Sequence, residues 1–341
     1  MPIRDGGLGL RFVGDNADQS YLASSRITNT LVQCIIAQSD KLPDREVERE
    51  IKLRTMAEVK ERETIRSNEI KNSQNAELQR KLEQLSEPGA SSWLGALPIS
   101  AQSFNLTKAE FQDSLCLRYM MPMKHLPSKC VCGKKFDTNH ALNCHRGGFV
   151  DIRHDNLRDM ECKLLKEVCN DVESEPHLQK VVNKNGYKKT ANLADEARLD
   201  VRARGFWRDG QHAYFDVKVT NVDSESMRHR KVQAVLRESE NKKKNKYNRR
   251  VMEVEHGSFT PLIFTTSGVM SHECSKYHKT LAEKLSEKKG ERYEVIMRYL
   301  RVKISFLALK ATLLCLRGSR SINNNVEEGE DFGFTLNELG L

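Results

Sequence analysis

Two carboxylates and one amine stand where a β-hairpin would bring them together: Asp200 in ARLDVRARGFW, and Asp216 with Lys218 in HAYFDVKVTN, joined by RDGQ. In the first run Leu199, Val201 and Ala203 alternate with Asp200, Arg202 and Arg204. In the second, Phe215, Val217 and Val219 alternate with Tyr214, Asp216, Lys218 and Thr220. Successive strand side chains point to opposite faces, so each run has an apolar and a polar side. If the apolar sides share one core, odd-numbered residues pair with odd-numbered ones, and Asp200, Asp216 and Lys218 meet on the other face. That register demands an odd-length loop or a bulge near Asp209-Gly210. Neighbouring carboxylates repel unless a cation sits between them, and oxygen-only ligation suits Mg²⁺ or Mn²⁺. Such an ion acidifies a bound water and stabilises charge on a phosphate. Lys218 would orient that water or neutralise the transition state. The competing reading is an exposed polar face with a cross-strand ion pair, which stabilises little.

A further carboxylate lies upstream. In HDNLRDMECKLLKEVCNDV (154–172), Leu157, Leu164, Leu165, Val168 and Val172 recur at helical spacing, and Glu161 falls near the middle of their stripe. A carboxylate on a buried face is expensive unless it is paired, protonated or bound to a metal, so Glu161 is a candidate third ligand for Mg²⁺. A Glu at the stripe's end reaching solvent is the alternative.

Soft ligands cluster before that helix, as Cys130-x-Cys132-x7-His140-x3-Cys144. Four thiolate or imidazole ligands make a closed tetrahedral set for structural Zn²⁺. His125, His145 and His154 are substitutes should Cys130 or Cys132 not bind, and free thiols near a loop are the other possibility. Downstream, MRHRKVQAVLRESENKKKNKYNRR (227–250) concentrates cations in helical sequence. Lys243, Lys246, Arg249 and Arg250 would contact phosphates without reading sequence, and Tyr247 would stack or position one. A solvated helix face is the common alternative for such a run.

The elements expected to position these groups fall into regions. Residues 1–44 are mixed. Residues 45–87 contain neither Gly nor Pro and are dense in Glu, Lys and Arg, which predicts a long solvated helical spacer without a clean heptad. Pro88-Gly89 closes it. Residues 91–150 form a helical segment (Leu106 to Tyr119, with Thr107 as cap) plus the cysteine cluster. Residues 151–317 read as a mixed α/β sheet flanked by helices: the helix from His154, the hairpin, a basic helix over 224–250, a strand pair over 251–266, and a last helix including Tyr293 to Leu316. The tail 318–341 is polar and acidic, and disorder is expected there. Across 341 residues the formal net charge is +9, with 38 % hydrophobic and 30 % charged residues. A basic balance favours polyanionic partners. No apolar run is long enough to cross a membrane, and the opening MPIRDGGLGLRF lacks a signal core, so secretion is not expected.

Asp200, a gap of 15 residues, then Asp216-Val-Lys218, with a preceding helix that offers a Glu, resembles the PD-(D/E)xK nuclease core; Leu199 replaces the usual Pro before the first Asp. Residues 91–270 resemble the C-terminal part of open reading frames of non-LTR retrotransposons that carry a restriction-like endonuclease. The resemblance rests on CVCGKKFDTNHALNCHRGGFVDIRHDNLRD, ARLDVRARGFW, FDVKVTN, KKNKYNRR and HGSFTPLIF. In those elements a K-x-x-K-Y segment follows the catalytic strands, matched here by Lys243, Lys246 and Tyr247, and a CCHC knuckle precedes the nuclease. Cys130-x-Cys132 departs from the usual C-x2-C. Residues 1–44 are similar to the region after the reverse-transcriptase palm, while no Y-x-D-D polymerase strand occurs. The resemblance implies a metal-dependent endonuclease acting on DNA, or on RNA of the parent element, leaving a 5′ phosphate; such a substrate and the basic runs point to the nucleus, with the cytoplasm as the alternative. A zinc-stabilised nucleic-acid-binding protein that no longer cuts is the rival.

Overall fold

A run of charged, Gly-free sequence makes helices, and what interrupts them is local capping chemistry. In the computed structural model, which describes residues 1–10, 13–41 and 43–319, contacts divide the chain into a unit over Met1–Ser86 and another over Glu87–Leu341. The first unit comprises α1 (Val13–Ile36), α2 (Arg45–Asn72) and α3 (Ala76–Ser86). Asp44 caps α2 by accepting from the Glu46 N–H. The stretch read as one continuous helix breaks at 73–75, because the Asn75 side chain accepts from the Leu78 N–H and starts a new helix. Nor is it a lone spacer: α2 packs against α1, with Arg26 and Glu58 ion-paired at 2.8 Å. Leu82 and Leu85 of α3 are buried, and Leu82 lies so close to Gly6 (φ +92°) that a side chain there would clash.

In the second unit Thr107 and Glu110 form a reciprocal capping box that starts α4 (Lys108–Tyr119). The short α5 (Thr138–Ala141) and then α6 (Phe149–Val168) follow. A four-stranded sheet comes next, in the spatial order β1 (Asn170–Ser174), β2 (Val201–Arg204), β3 (His212–Thr220) and β4 (Ser258–Thr265). The first two pairings are antiparallel; β3 and β4 run parallel, connected by α7 (Val232–Glu253). Helices α8 (His272–Lys289) and α9 (Tyr293–Arg317) complete the unit. It is thus a mixed α/β unit with a small mixed sheet flanked by helices. The basic helix starts at Val232 and runs on to Glu253, so the expected strand pair over 251–266 is the single strand β4. Neither β1 nor α8 was expected from sequence. The tail lies, from residue 320 onward, outside the described residues.

Parity along the strands assigns the two layers. Val201, Ala203, Phe215 and Val217 join Leu262 and Phe264 in one core with Leu157, Leu164 and Leu165 of α6, Tyr277 and Leu281 of α8, and Leu300 and Ile304 of α9. On the opposite face Tyr214 and Phe259 pack with Tyr247 and Val251 of α7, and Ile263 packs with Val235 and Leu236. Thus α6, α8 and α9 cover the odd-numbered side of β3, and α7 covers the even-numbered side that carries Asp216 and Lys218. No described helix is long and apolar enough to cross a membrane.

Candidate functional site

The hairpin adopts the register that shared burial demands: Val201 pairs with Phe215 and Ala203 with Ala213, around a seven-residue connection from Gly205 to Gln211. Asp200 and Asp216 therefore lie side by side on the α7 face. Asp200 Oδ2 accepts from the Val217 N–H at 2.5 Å and meets His154 Nε2 at 3.2 Å. Asp216, 4 % exposed, is ion-paired with Lys243. Lys218 donates to Ser239 Oγ of α7 at 3.4 Å. His154, Lys218 and Lys243 line an open cleft of about 400 Å³, together with Val150, Asp151 and Arg153 from the start of α6, Val217 and Val219 from β3, and Lys242 and Lys246 from α7; the two carboxylates contact that lining through His154 and Lys243.

The electrostatics follow from burial and neighbours. Burial raises the Asp216 carboxyl pKa, opposed by Lys243 and reinforced by the charge on Asp200. Burial would depress Lys243, but Asp216 overrides it and holds the ammonium charged. Lys218 is lowered, by burial first and then by the Lys243 and Lys242 charges. His154 is depressed by burial, yet the bond to Asp200 and the charges of Asp200 and Asp155 raise it to about 9. At neutral pH each carboxylate is thus faced by a cation of the chain itself. Two carboxylates are a hard-oxygen donor set of the kind that holds Mg²⁺ with several of its waters retained, so the residues present fit such an ion. An ion on Asp216 would have to displace Lys243.

Glu161 is not part of this pair. It is fully buried, with Oε1 2.9 Å from His278 Nε2 and Oε2 accepting from the Tyr277 hydroxyl at 3.0 Å. The reason is geometric: α6 packs on the odd-numbered side of the sheet, so its apolar stripe points away from the face bearing Asp216. Near the N-terminal end of α6, His154, two turns before Glu161 and so about 10 Å along the axis, reaches Asp200. The stripe itself signalled either residue; which one meets the hairpin depends on where the helix starts relative to the sheet. His154, read from sequence only as a reserve thiol-site ligand, is therefore a site residue that sequence reasoning missed, as are Arg153 and Lys242.

The basic helix also divides. Lys243 and Lys246 face the cleft. Tyr247 is buried and packs on Phe259, with its ring 5.8 Å away, so it cannot stack on a base. Arg250, 1 % exposed, donates to the carbonyls of Gln179, Asn192 and Ala194 and has no face for phosphate. Arg249 is exposed, bonded to Glu253 at 2.8 Å and lying over the Tyr187 ring. A sequence window shows the cations; only packing shows which point inward.

In the cysteine cluster the ligand atoms of Cys130, Cys132, His140 and Cys144 lie within 4.8 Å of one another, the only such group of three or more metal-ligand side chains among the described residues, and they could hold a metal ion. Cys130 and Cys144 sulfurs are 3.8 Å apart, and Cys132 Sγ is 3.3 Å from His140 Nε2. The tight Cys-x-Cys is accommodated by a turn in which Gly133, with φ +86°, donates to the Cys130 carbonyl and Cys130 donates to Lys134. Asp137 caps the short helix that presents His140. His154 lies instead with Asp200, and the His125 carbonyl accepts from Arg317. A hydrogen bond from the Lys134 backbone lowers the Cys132 pKa, whereas burial raises that of Cys144.

Comparison with known proteins supplies no family: no family model matches the chain, and no curated protein matches it.

Proposed function

We propose that this chain is a metal-dependent DNA endonuclease of the PD-(D/E)xK class, and more particularly one related to the restriction-like endonucleases of non-LTR retrotransposons. The observation that carries this reading is the convergence of Asp200 and Asp216 on neighbouring chain segments of the hairpin, each in contact with a residue, His154 or Lys243, that lines a cleft also bordered by Lys218. Asp200 and Asp216 would hold Mg²⁺ or Mn²⁺, which when bound acidifies water and stabilises charge on the scissile phosphate. Lys218, whose ammonium is depressed by burial and by neighbouring lysines, is placed to orient the attacking water or offset developing negative charge. Lys242, Lys243 and Lys246 attract the phosphate backbone, a sequence-independent contribution. DNA, or RNA of a parent element, is the proposed partner, and the nucleus the proposed location. The test is incubation of the purified chain with supercoiled plasmid, Mg²⁺ or Mn²⁺ against EDTA. Metal-dependent nicking is expected; its absence with DNA still shifted in a gel leaves a binding protein.

That second reading has its own support. Asp216 is met by Lys243 and Asp200 by His154, so the carboxylates are neutralised without any metal.

For the cysteine cluster the proposed ion is Zn²⁺. A sulfur–sulfur spacing of 3.8 Å matches the edge of a tetrahedron with zinc–sulfur bonds of about 2.3 Å. A closed four-ligand set of this kind folds its module rather than catalyses. Denaturing release should yield about one zinc per chain. Stripping it, or Cys144→Ser, should abolish amide-exchange protection over 130–144 while that of β3 persists. Full protection without zinc would refute the assignment.

A further inference from the structure

Between β1 and β2 the chain runs from Pro176 to Arg198 with no helix or strand of its own. So long a structureless segment in a compact unit is unusual, and ordering it costs backbone entropy at every residue. The segment is nonetheless pinned along the second half of α7. The buried guanidinium of Arg250 takes three of its carbonyls, those of Gln179, Asn192 and Ala194, each at 2.8–2.9 Å. The Asn192 N–H donates to the Lys246 carbonyl at 2.9 Å, and Lys188 reaches Asn245 at 2.8 Å. Arg249 stacks on Tyr187 at 4.7 Å, and Leu178, Val181 and Ala197 are buried beneath.

Burying a guanidinium against carbonyls rather than a carboxylate is a costly way to stabilise a fold; its effect here is to give one shape to a loop whose side chains turn outward. Its exposed side chains include Lys180, Lys184, Lys188 and Lys189, of which Lys184 lies 3.7 Å from Asp195 and Lys188 bonds Asn245, and the segment holds five Lys or Arg against two carboxylates, Asp195 and Glu196. Its anchor points on α7, the Lys246 carbonyl and Asn245, adjoin the cleft, since Lys246 is also one of the cleft-lining lysines.

We propose that the 176–198 loop is a phosphate-binding arm that holds duplex DNA flanking the cleft, with Lys180, Lys184, Lys188 and Lys189 as the contacts and Arg250 as the residue that positions them. This rests on the DNA reading of the cleft and adds a second surface to it. Phosphate contacts of this kind release counterions and leave a salt signature: each contact contributes about 0.9 to the slope of log affinity against log salt.

The experiment is duplex binding by fluorescence anisotropy without added divalent ion across a NaCl series, for the full chain and for Lys180→Gln/Lys184→Gln/Lys188→Gln/Lys189→Gln. The quadruple variant should lose about 2–4 from the slope and at least about tenfold in affinity at moderate salt, with only the small drop in melting temperature expected from losing the exposed Lys188–Asn245 hydrogen bond. Asp195→Asn/Glu196→Gln should bind more tightly, a gain that misfolding cannot imitate. A wild type that binds with a steep slope and a quadruple variant that keeps that slope overturn the arm alone. A wild type with no salt-dependent DNA binding overturns the DNA reading and the arm with it. An RNA duplex run in parallel, if preferred and equally dependent on the four lysines, overturns the assignment to DNA.

Discussion

Replacing Asp216 with Asn should lower metal-dependent plasmid nicking by about a thousandfold, because a metal clamp contributes several kcal/mol to stabilising transition-state charge and about 1.4 kcal/mol corresponds to a factor of ten. The substitution keeps the shape of a nearly fully buried side chain and removes a charge whose burial is unfavourable, so the fold should survive it. Lys243→Met is the informative partner. With its ammonium gone from Asp216, the carboxylate is free for a divalent ion, and Mn²⁺ should bind about tenfold more tightly or better, given that charge-assisted bonds contribute about 1.5–3 kcal/mol. Nicking should fall all the same, for want of a phosphate contact in the cleft. Mn²⁺ titration by electron paramagnetic resonance reads the first effect and the plasmid assay the second. Unaltered nicking by Asp216→Asn would remove the hairpin from the chemistry.

Glu161→Ala should cost about 3–5 kcal/mol of stability, the usual consequence of removing one member of a fully buried ionic or hydrogen-bonded set. His278 Nε2 and the Tyr277 hydroxyl both lose their hydrogen-bond partner in a fully buried site. Both residues sit on α8, so the damage should spread to the packing of α6 on α8. Urea denaturation measures it directly. Per folded molecule, metal-dependent cutting should persist at low temperature, since Glu161 does not meet the carboxylate pair. A variant with wild-type stability and no cutting would instead return Glu161 to the metal's ligand shell.

The hairpin was legible because a period-two pattern and a turn signal are local, and burying one face of each strand leaves a single register. Thr107 as a cap and the boundary near Pro88 were legible for the same reason: a side chain bonding three residues ahead, and a breaker cluster, act over one turn of chain. The break at 73–75 rests on short polar side chains, Asn75 capping the new helix while Ser73 and Gln74 bond the Ile70 carbonyl at the end of the old one, a faint signal in a sequence otherwise uniform in helix formers. β1 escaped because Asn170–Ser174 has little apolar content and earns its place by pairing with β2.

By itself, then, the sequence determined which residues share a face: Asp200, Asp216 and Lys218 on one side of a hairpin, four soft ligands within 15 residues of one another, and a band of cations on α7. Tertiary structure alone decided what each face meets. It set α6 on the opposite side of the sheet, so that His154 rather than Glu161 reaches Asp200. It turned Arg250 and Tyr247 inward and laid Lys243 on Asp216. The physical reason is that periodicity specifies directions about one element's axis, whereas the partner across a packed interface depends on how far each helix is displaced along the sheet, and burial of the whole unit fixes that displacement.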